Sequence, residues 1–370
     1  MTDTLAFVVT AHGYGHASRQ MEILRALLGR RSTARAAVLT AAPEAVFRDY
    51  LDADPAVSAR VSVIPYRADV GVVQKDGLTL DRDATLRALA ERFADPEQAE
   101  AELAARLAAL RPAVVVADLP PVAFAAAARL GVPSVGVGNF DWAWIYGHYA
   151  QRDPAFAPYE RLCRRWQSLA TAAVHLAPGP PLVGFREVVA AAPLARALLV
   201  DAAAVRARLA VPKGDHAVLV SFGGHGLDDP QRRIPPLPGI TWILAPPMPD
   251  LRRPDTRFAP ELPYLALLAA CDAVLTKPGY GIVCEAARHR TRVLYTDRGD
   301  FPEYPWLVDW LVENAPAVHV PAAALGTARG PETLREGLSR LFALPDRWGD
   351  RWDGAAQVAD VIEGLMPRRA

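Results

Sequence analysis

Short apolar runs alternate with stretches of helical periodicity along most of this chain. Leu5-Ala6-Phe7-Val8-Val9-Thr10 is continuous and apolar, the pattern of a strand buried on both faces. A glycine-containing loop follows, Ala11-His12-Gly13-Tyr14-Gly15-His16. Met21, Leu24, Leu27 and Leu28 then recur at helical spacing, and Gly29 marks a stop. Ala36 to Thr40 is the next strand. Strand, loop, helix, strand is the repeating unit of a parallel sheet. It recurs with strands at Val61 to Ile64, Ala113 to Ala117 and Ser134 to Val137. Helices are predicted over Asp83 to Leu110, broken near Asp95-Pro96, and over Pro121 to Leu130.

Pro178-Gly179-Pro180-Pro181 is a turn-forming cluster, and the linker is placed there, extending to about Leu199. A second set of the same kind begins with the strand Ala217 to Phe222. Strands at 241–245, 273–276, 292–296 and 318–320 follow, with helices at 262–270 and 281–289. The expected fold is α/β, two Rossmann-like domains facing across a cleft. Residues 1–180 form the first domain and 200–350 the second, and a last helix, 354–366, returns to the first. Ligands of such sheets bind at the carboxyl ends of the strands.

Composition narrows the function. Of 370 residues 51% are hydrophobic, enough for large cores. Lys plus Arg and Asp plus Glu are both 41, so nothing suggests a chain held to nucleic acid by bulk charge. The three cysteines have no paired spacing, which points to neither a disulfide framework nor a zinc site. With no secretory leader pattern and no long apolar run, the expectation is a cytoplasmic protein without a spanning segment. Arg161, Arg164, Arg165 and Trp166 leave a peripheral membrane contact open, against the simpler reading of a solvated helix face.

Two loops carry candidate chemistry. Ser221-Phe222-Gly223-Gly224-His225-Gly226 follows a buried strand. Its glycines permit either a tight turn or close backbone approach to a diphosphate. Thr276-Lys277-Pro278-Gly279-Tyr280-Gly281 leads from a strand into a helix whose N-terminus offers N–H donors and a positive dipole end to phosphate. Lys277 adds charge. Glu285, one turn in, has a carboxylate able to accept hydrogen bonds from ribose, or simply to complement the dipole. Neither a P-loop nor a dinucleotide fingerprint is present.

Lys277 to Ala286 resembles the donor loop and helix of GT-B glycosyltransferases. A closer resemblance is to the glycosyltransferase-like N-terminal region of plant L-arabinokinases and its bacterial relatives. It is carried by His12 to His16 with Ser18-Arg19, by Asp69 to Asp83, by Pro133 to Tyr149 and by Lys277 to Pro305. The resemblance implies the GT-B fold, not sugar-kinase activity. It further implies His16 as the general base and Asp118 as the carboxylate that orients it. Gly223, Gly224, Lys277, Gly279, Tyr280, Gly281 and Glu285 would hold a nucleotide-sugar donor, and Asp300 and Glu303 its sugar, although the usual Asp-Gln or Glu-Gln pairing is absent. Such a pair is chemically apt: a histidine held by a carboxylate accepts the proton that an attacking sugar hydroxyl must lose.

Asn139, Asp141, Trp142 and Trp144, in an aromatic stretch with Phe140, Tyr146 and Tyr149, are acceptor-site candidates; a core cluster is the competing reading. His12 is a secondary acceptor contact, and Asp69, Gln74, Lys75 and Asp76 are weaker ones. No paired metal carboxylates stand out, so no metal and no cofactor are expected. The reading is an enzyme that moves a sugar from a nucleotide diphosphate sugar, such as a UDP-sugar, to a small-molecule or glycan acceptor, inverting and metal-independent. The alternatives are a sugar-nucleotide 2-epimerase of the same fold and a non-catalytic nucleotide-sugar-binding module.

Overall fold

The computed structural model describes residues 3–12, 14–75, 79–223 and 226–366. The chain divides into two compact units. The first comprises Met1–Val73, Asp81–Leu194 and Arg351–Ala370; the second comprises Gln74–Leu80 and Ala195–Asp350.

The first unit holds seven parallel strands: β1 (Thr4–Val9), β2 (Arg35–Thr40), β3 (Val61–Pro65), β4 (Val114–Asp118), β5 (Ser134–Gly138), β6 (Ala172–Leu176) and β7 (Val188–Ala191). Their order is β3-β2-β1-β4-β5-β6-β7. All side chains of β4 are buried, as are those of Leu5 to Val9 in β1. That is why both read as unbroken apolar runs rather than alternating ones. The helix Tyr14–Arg30 buries Ala17, Met21, Leu24 and Leu28 along one stripe.

The break near Asp95-Pro96 is a true helix end. The helix Arg82–Arg92 stops there, and Asp95 caps the helix Pro96–Leu110 by accepting from Gln98 N at 2.9 Å. The helix Gly354–Leu365 lies in this unit. Arg30 Nη1 donates to Asp360 at 2.5 Å, and Ala192 N donates to Gln357 Oε1 at 2.8 Å. Gly354 admits no Cβ, because the Ala192 carbonyl oxygen occupies that space.

The second unit holds six parallel strands: β8 (His216–Ser221), β9 (Ile240–Leu244), β10 (Thr256–Phe258), β11 (Ala273–Thr276), β12 (Arg292–Tyr295) and β13 (Ala317–His319). Their order, β10-β9-β8-β11-β12-β13, repeats the arrangement of the first unit. Its core gathers Val218, Val220, Trp242, Leu275, Leu294 and Leu338.

One of the chain's crossings between the units falls between Leu194 and Ala195, inside the stretch expected to be linker. β7 lies in that stretch. Its run Val188-Val189-Ala190-Ala191 is apolar but only four residues long, and it forms an edge strand with three of those residues exposed. Among the described residues, no helix is long and apolar enough to cross a membrane.

Candidate functional site

In the first unit, β1 and β4 are direct neighbours, with Val9 registered against Asp118. The chain runs outward from them in opposite directions, toward β2 and toward β5. This is the switch point at which open parallel sheets bind ligands. The loop after β1 leads into the helix Tyr14–Arg30, whose residues 16, 19 and 20 stand at i, i+3 and i+4 and so share one face.

All three side chains converge on Asp118, which is fully buried. Asp118 Oδ1 lies 2.8 Å from His16 Nδ1 and accepts from Arg19 Nη2 at 2.6 Å. Its Oδ2 accepts from Arg19 Nε at 2.8 Å and from Gln20 Nε2 at 2.7 Å. Burial opposes the charge on Asp118. The Arg19 guanidinium and His16 outweigh it and hold the carboxyl well below the ordinary carboxylate range.

A second buried carboxylate stands nearby. Asp69 accepts from Thr10 Oγ1 at 2.9 Å and from Trp142 Nε1 at 3.0 Å. Burial nevertheless pushes its carboxyl up to about 6.

The residues expected to meet an acceptor are mostly parts of this scaffold. Asn139 is buried, donates from Nδ2 to the carbonyls of Leu176 and Pro178 at 2.9 Å, and accepts from Arg19 Nη1. Asp141 is fully buried, caps the helix Trp142–Ala150 through Trp144 N at 2.7 Å, and accepts from Gly184 N at 3.0 Å. Trp142 is 1% exposed, stacked on Tyr146 and set edge-on to Phe140.

These three side chains are buried, and their polar groups have partners within the unit. Trp144 stays partly exposed and stacks with His148. His12, also partly exposed, accepts from Val72 N at 3.4 Å and stands edge-on to Trp142. Trp166, read with the arginines around it, is core, and its Nε1 donates to Glu100 at 2.6 Å. Gly13 and Asp76 lie outside the described residues.

The second unit repeats the geometry. β8 and β11 are adjacent, Ser221 registered against Thr276, so the loops that follow leave the sheet side by side. Gly223, at φ +71°, takes the left-handed backbone glycine tolerates best, and a Cβ there would sit 3.8 Å from Lys277 Cε. Gly224 lies outside the described residues.

Gly279 is the N-cap of the helix Tyr280–Arg288, and Val283 N bonds to the Gly279 carbonyl at 3.0 Å. The N–H groups of Gly281 and Ile282, in the first turn, therefore have no acceptor within the helix. Gly223, Lys277 and this helix end thus come together as a small basic, N–H-rich surface.

Two expected donor contacts are placed otherwise. Glu285 is 3% exposed, and Arg196 spans its carboxylate with Nε at 2.6 Å and Nη2 at 3.2 Å. Glu285 thereby anchors Arg196 to the helix Tyr280–Arg288. Glu303 is buried and accepts from Arg298 Nη1 at 3.3 Å, while the guanidinium lies 4.1 Å over the Phe301 ring. Asp300 is partly exposed.

The sequence reading passed over Gln20 and Arg196 and gave Arg19 no role. For Arg19 and Gln20 the signal was present, as polar side chains three and four positions after His16 on a helix with an apolar stripe. Arg196, 89 residues from its partner, left no local sign. No three His, Cys, Asp or Glu side chains gather as a metal site among the described residues.

No family model matches the chain. It is 30% identical over 319 residues to an L-arabinokinase of Arabidopsis thaliana, a match that covers 83% of the chain. The chain spans 29% of that protein's length. Among solved structures it is similar to the calicheamicin glycosyltransferase, with a TM-score of 0.61 and 17% identity over 99% of this chain and 98% of that one. It is also similar to the glycosyltransferase VinC in complex with dTDP, with a TM-score of 0.54 and 17% identity over 98% and 96%. The chain has the GT-B glycosyltransferase fold.

Proposed function

We propose that this chain transfers a sugar from a nucleoside diphosphate sugar to an acceptor hydroxyl, with inversion and without a metal ion. The observation that carries the reading is the 2.8 Å contact between His16 Nδ1 and Asp118 Oδ1 at the switch point of the first sheet. A carboxylate on Nδ1 fixes the ring and leaves Nε2 to act as base. The glycosyltransferases similar in structure, one of them holding dTDP, support the donor class. The similarity to an L-arabinokinase contributes sugar chemistry in general, and no kinase activity is proposed.

In this reading His16 Nε2 takes the proton of the acceptor hydroxyl as the oxygen attacks the anomeric carbon from the face opposite the diphosphate. The bond from that carbon to the phosphate oxygen breaks, its electron pair leaves on the diphosphate, and the sugar centre inverts. Asp118 stabilises the imidazolium without taking the proton, since Arg19 keeps it ionised. The leaving diphosphate is met by Lys277 and by the first-turn N–H groups at Gly281.

The test is a thermal-shift screen against nucleoside diphosphates and their sugars, followed by transfer assays with the donor found. Selective stabilisation by one nucleotide class, and product of inverted configuration, are expected. Absence of any nucleotide-dependent shift would remove the reading.

A further inference from the structure

Arg19 spends its directed contacts on the His16–Asp118 pair and its scaffold. Nε and Nη2 form a two-point fork on the Asp118 carboxylate, at 2.8 and 2.6 Å. Nη1 donates to Asn139, which is itself fastened to the Leu176 and Pro178 carbonyls. The guanidinium is therefore held from two sides.

Nη2 also lies 2.8 Å from His16 Nδ1. Arginine can only donate, so two proton arrangements compete. In the first, Nδ1 carries the proton, and both Nδ1–H and Nη2–H point at Asp118 Oδ1. In the second, Nδ1 accepts from Nη2, and the proton sits on Nε2.

A carboxylate has about four acceptor sites. Arg19 fills two, Gln20 one, and Nδ1–H fills the last. In the second arrangement that last site of a fully buried anion faces the lone pair of Nδ1 at 2.8 Å with no proton between them. An unsatisfied buried anion site is costly, so the first arrangement wins. The other charged or titratable groups around His16 do not reverse this. The Asp69 carboxylate is held by Thr10 and Trp142, and the His12 ring stands 6.4 Å away between centroids.

We propose that Arg19 is the positioning residue of this pair: its two-point fork, with Gln20, fixes the rotation of the Asp118 carboxylate so that Oδ1 faces His16 Nδ1–H, and so keeps Nε2 the bare nitrogen. The catalytic consequence rests on His16 acting as base. The tautomer is a property of the free protein and is measured without substrate.

The experiment is long-range proton–nitrogen NMR of the labelled full chain at alkaline pH, with the His16 signals assigned by their loss in His16→Gln. The wild type should show a single Nδ1–H form with Nε2 unprotonated. Arg19→Met frees the Asp118 carboxylate to turn from the ring and should give a mixture of both tautomers, and Arg19→Lys, which returns charge but not the fork, a smaller share of the second. In turnover, Arg19→Met should lower kcat at unchanged nucleotide affinity, with partial rescue by Lys.

A wild type carrying Nε2–H, or an Arg19→Met protein with the wild-type tautomer, overturns the proposal. If Arg19→Met does not fold, Arg19→Lys decides: absence of the second tautomer there overturns it. The expected tautomers with no transfer on any donor would leave this inference standing and remove the transferase reading.

Discussion

His16 and Asp118 stand 102 residues apart in sequence and 2.8 Å apart in space. Parallel pairing of β1 with β4 brings them together: the register ends Val9 against Asp118, and Thr10 N donates to the Asp118 carbonyl at 2.8 Å. If this pair performs general-base catalysis, His16→Ala loses about 10²–10⁴-fold in kcat. Nucleotide affinity should hardly change, because the nucleotide-binding candidates lie in the second unit. Asp118→Asn carries a further cost, since it leaves a buried guanidinium without its anion. Breaking such a pair from one side costs about 3–5 kcal/mol. The check is steady-state kinetics beside denaturant melts: His16→Ala should lose activity with only a modest loss of stability, and Asp118→Asn should lose activity and be destabilised further.

Asp69 makes stability depend on pH in the opposite sense to Asp118. Its folded carboxyl is raised to about 6 from an ordinary 3.8. The folded state therefore keeps a proton that the unfolded state has released. The associated stabilisation is complete below the ordinary value and is lost as pH rises through about 6. The difference corresponds to about 3 kcal/mol. Asp69→Asn cannot titrate, so urea melts from acid to neutral pH should move in favour of the variant as pH rises. A constant gap between the two proteins would contradict the assignment. For Asp118, held low, the sign reverses: its contribution is present above the ordinary carboxylate range and lost in stronger acid.

The Arg196–Glu285 pair fastens the start of the second unit to the helix Tyr280–Arg288. His289 Nε2 faces the Arg196 carbonyl at 2.9 Å, and Arg288 donates to the Ala195 carbonyl. Both partners of the pair are nearly buried. Glu285→Ala alone should lose about 3–5 kcal/mol, whereas replacing both partners by apolar side chains of similar volume should lose far less. Calorimetric melts of these two variants beside the wild type test this; equal losses for the single and double variants would refute it.

Most of the architecture was legible because buried parallel strands write themselves as apolar runs and helices as periodic stripes. β1, β4, β8 and β11, the strands that lead to His16, Asp118, Gly223 and Lys277, are all of this kind. β6, β7 and β10 were not read as strands: β6 and β7 are short runs beside and inside the stretch taken as linker, and β10 is three residues long. The loops could be found from glycine and histidine, but the partners of their side chains could not. Whether Trp142 meets a ligand or Asp69 depends on a packing direction the local sequence does not encode. Glu285 shows the same limit, since its fate was decided by Arg196.

Chelation offers a direct test of how the diphosphate is stabilised. In the proposed reaction the countercharge comes from Lys277 and a helix end, so turnover in excess chelator should remain within about twofold of the untreated enzyme, a change well under 1 kcal/mol in barrier. Loss of activity restored by magnesium or manganese would assign that role to a cation instead.

Lys277 and Gly281 test the nucleotide site itself. The Lys277 side chain lies over Gly223, and Gly281 is in the first turn of the helix capped by Gly279. A charge-assisted contact to phosphate is worth about 1.5–3 kcal/mol, so Lys277→Ala should weaken nucleoside diphosphate binding by roughly 10- to 150-fold. Lys277→Arg should recover part of that, because charge is retained while the geometry changes. Gly281→Leu acts differently: it leaves the charge in place but sets a side chain where the phosphate must approach the N–H groups. It should abolish binding while leaving the melting temperature of the unliganded protein nearly unchanged. Titration calorimetry separates the cases. Undiminished affinity in both Lys277→Ala and Gly281→Leu would move the nucleotide elsewhere on the chain; loss in Gly281→Leu alone would keep the helix end and remove the lysine from the site.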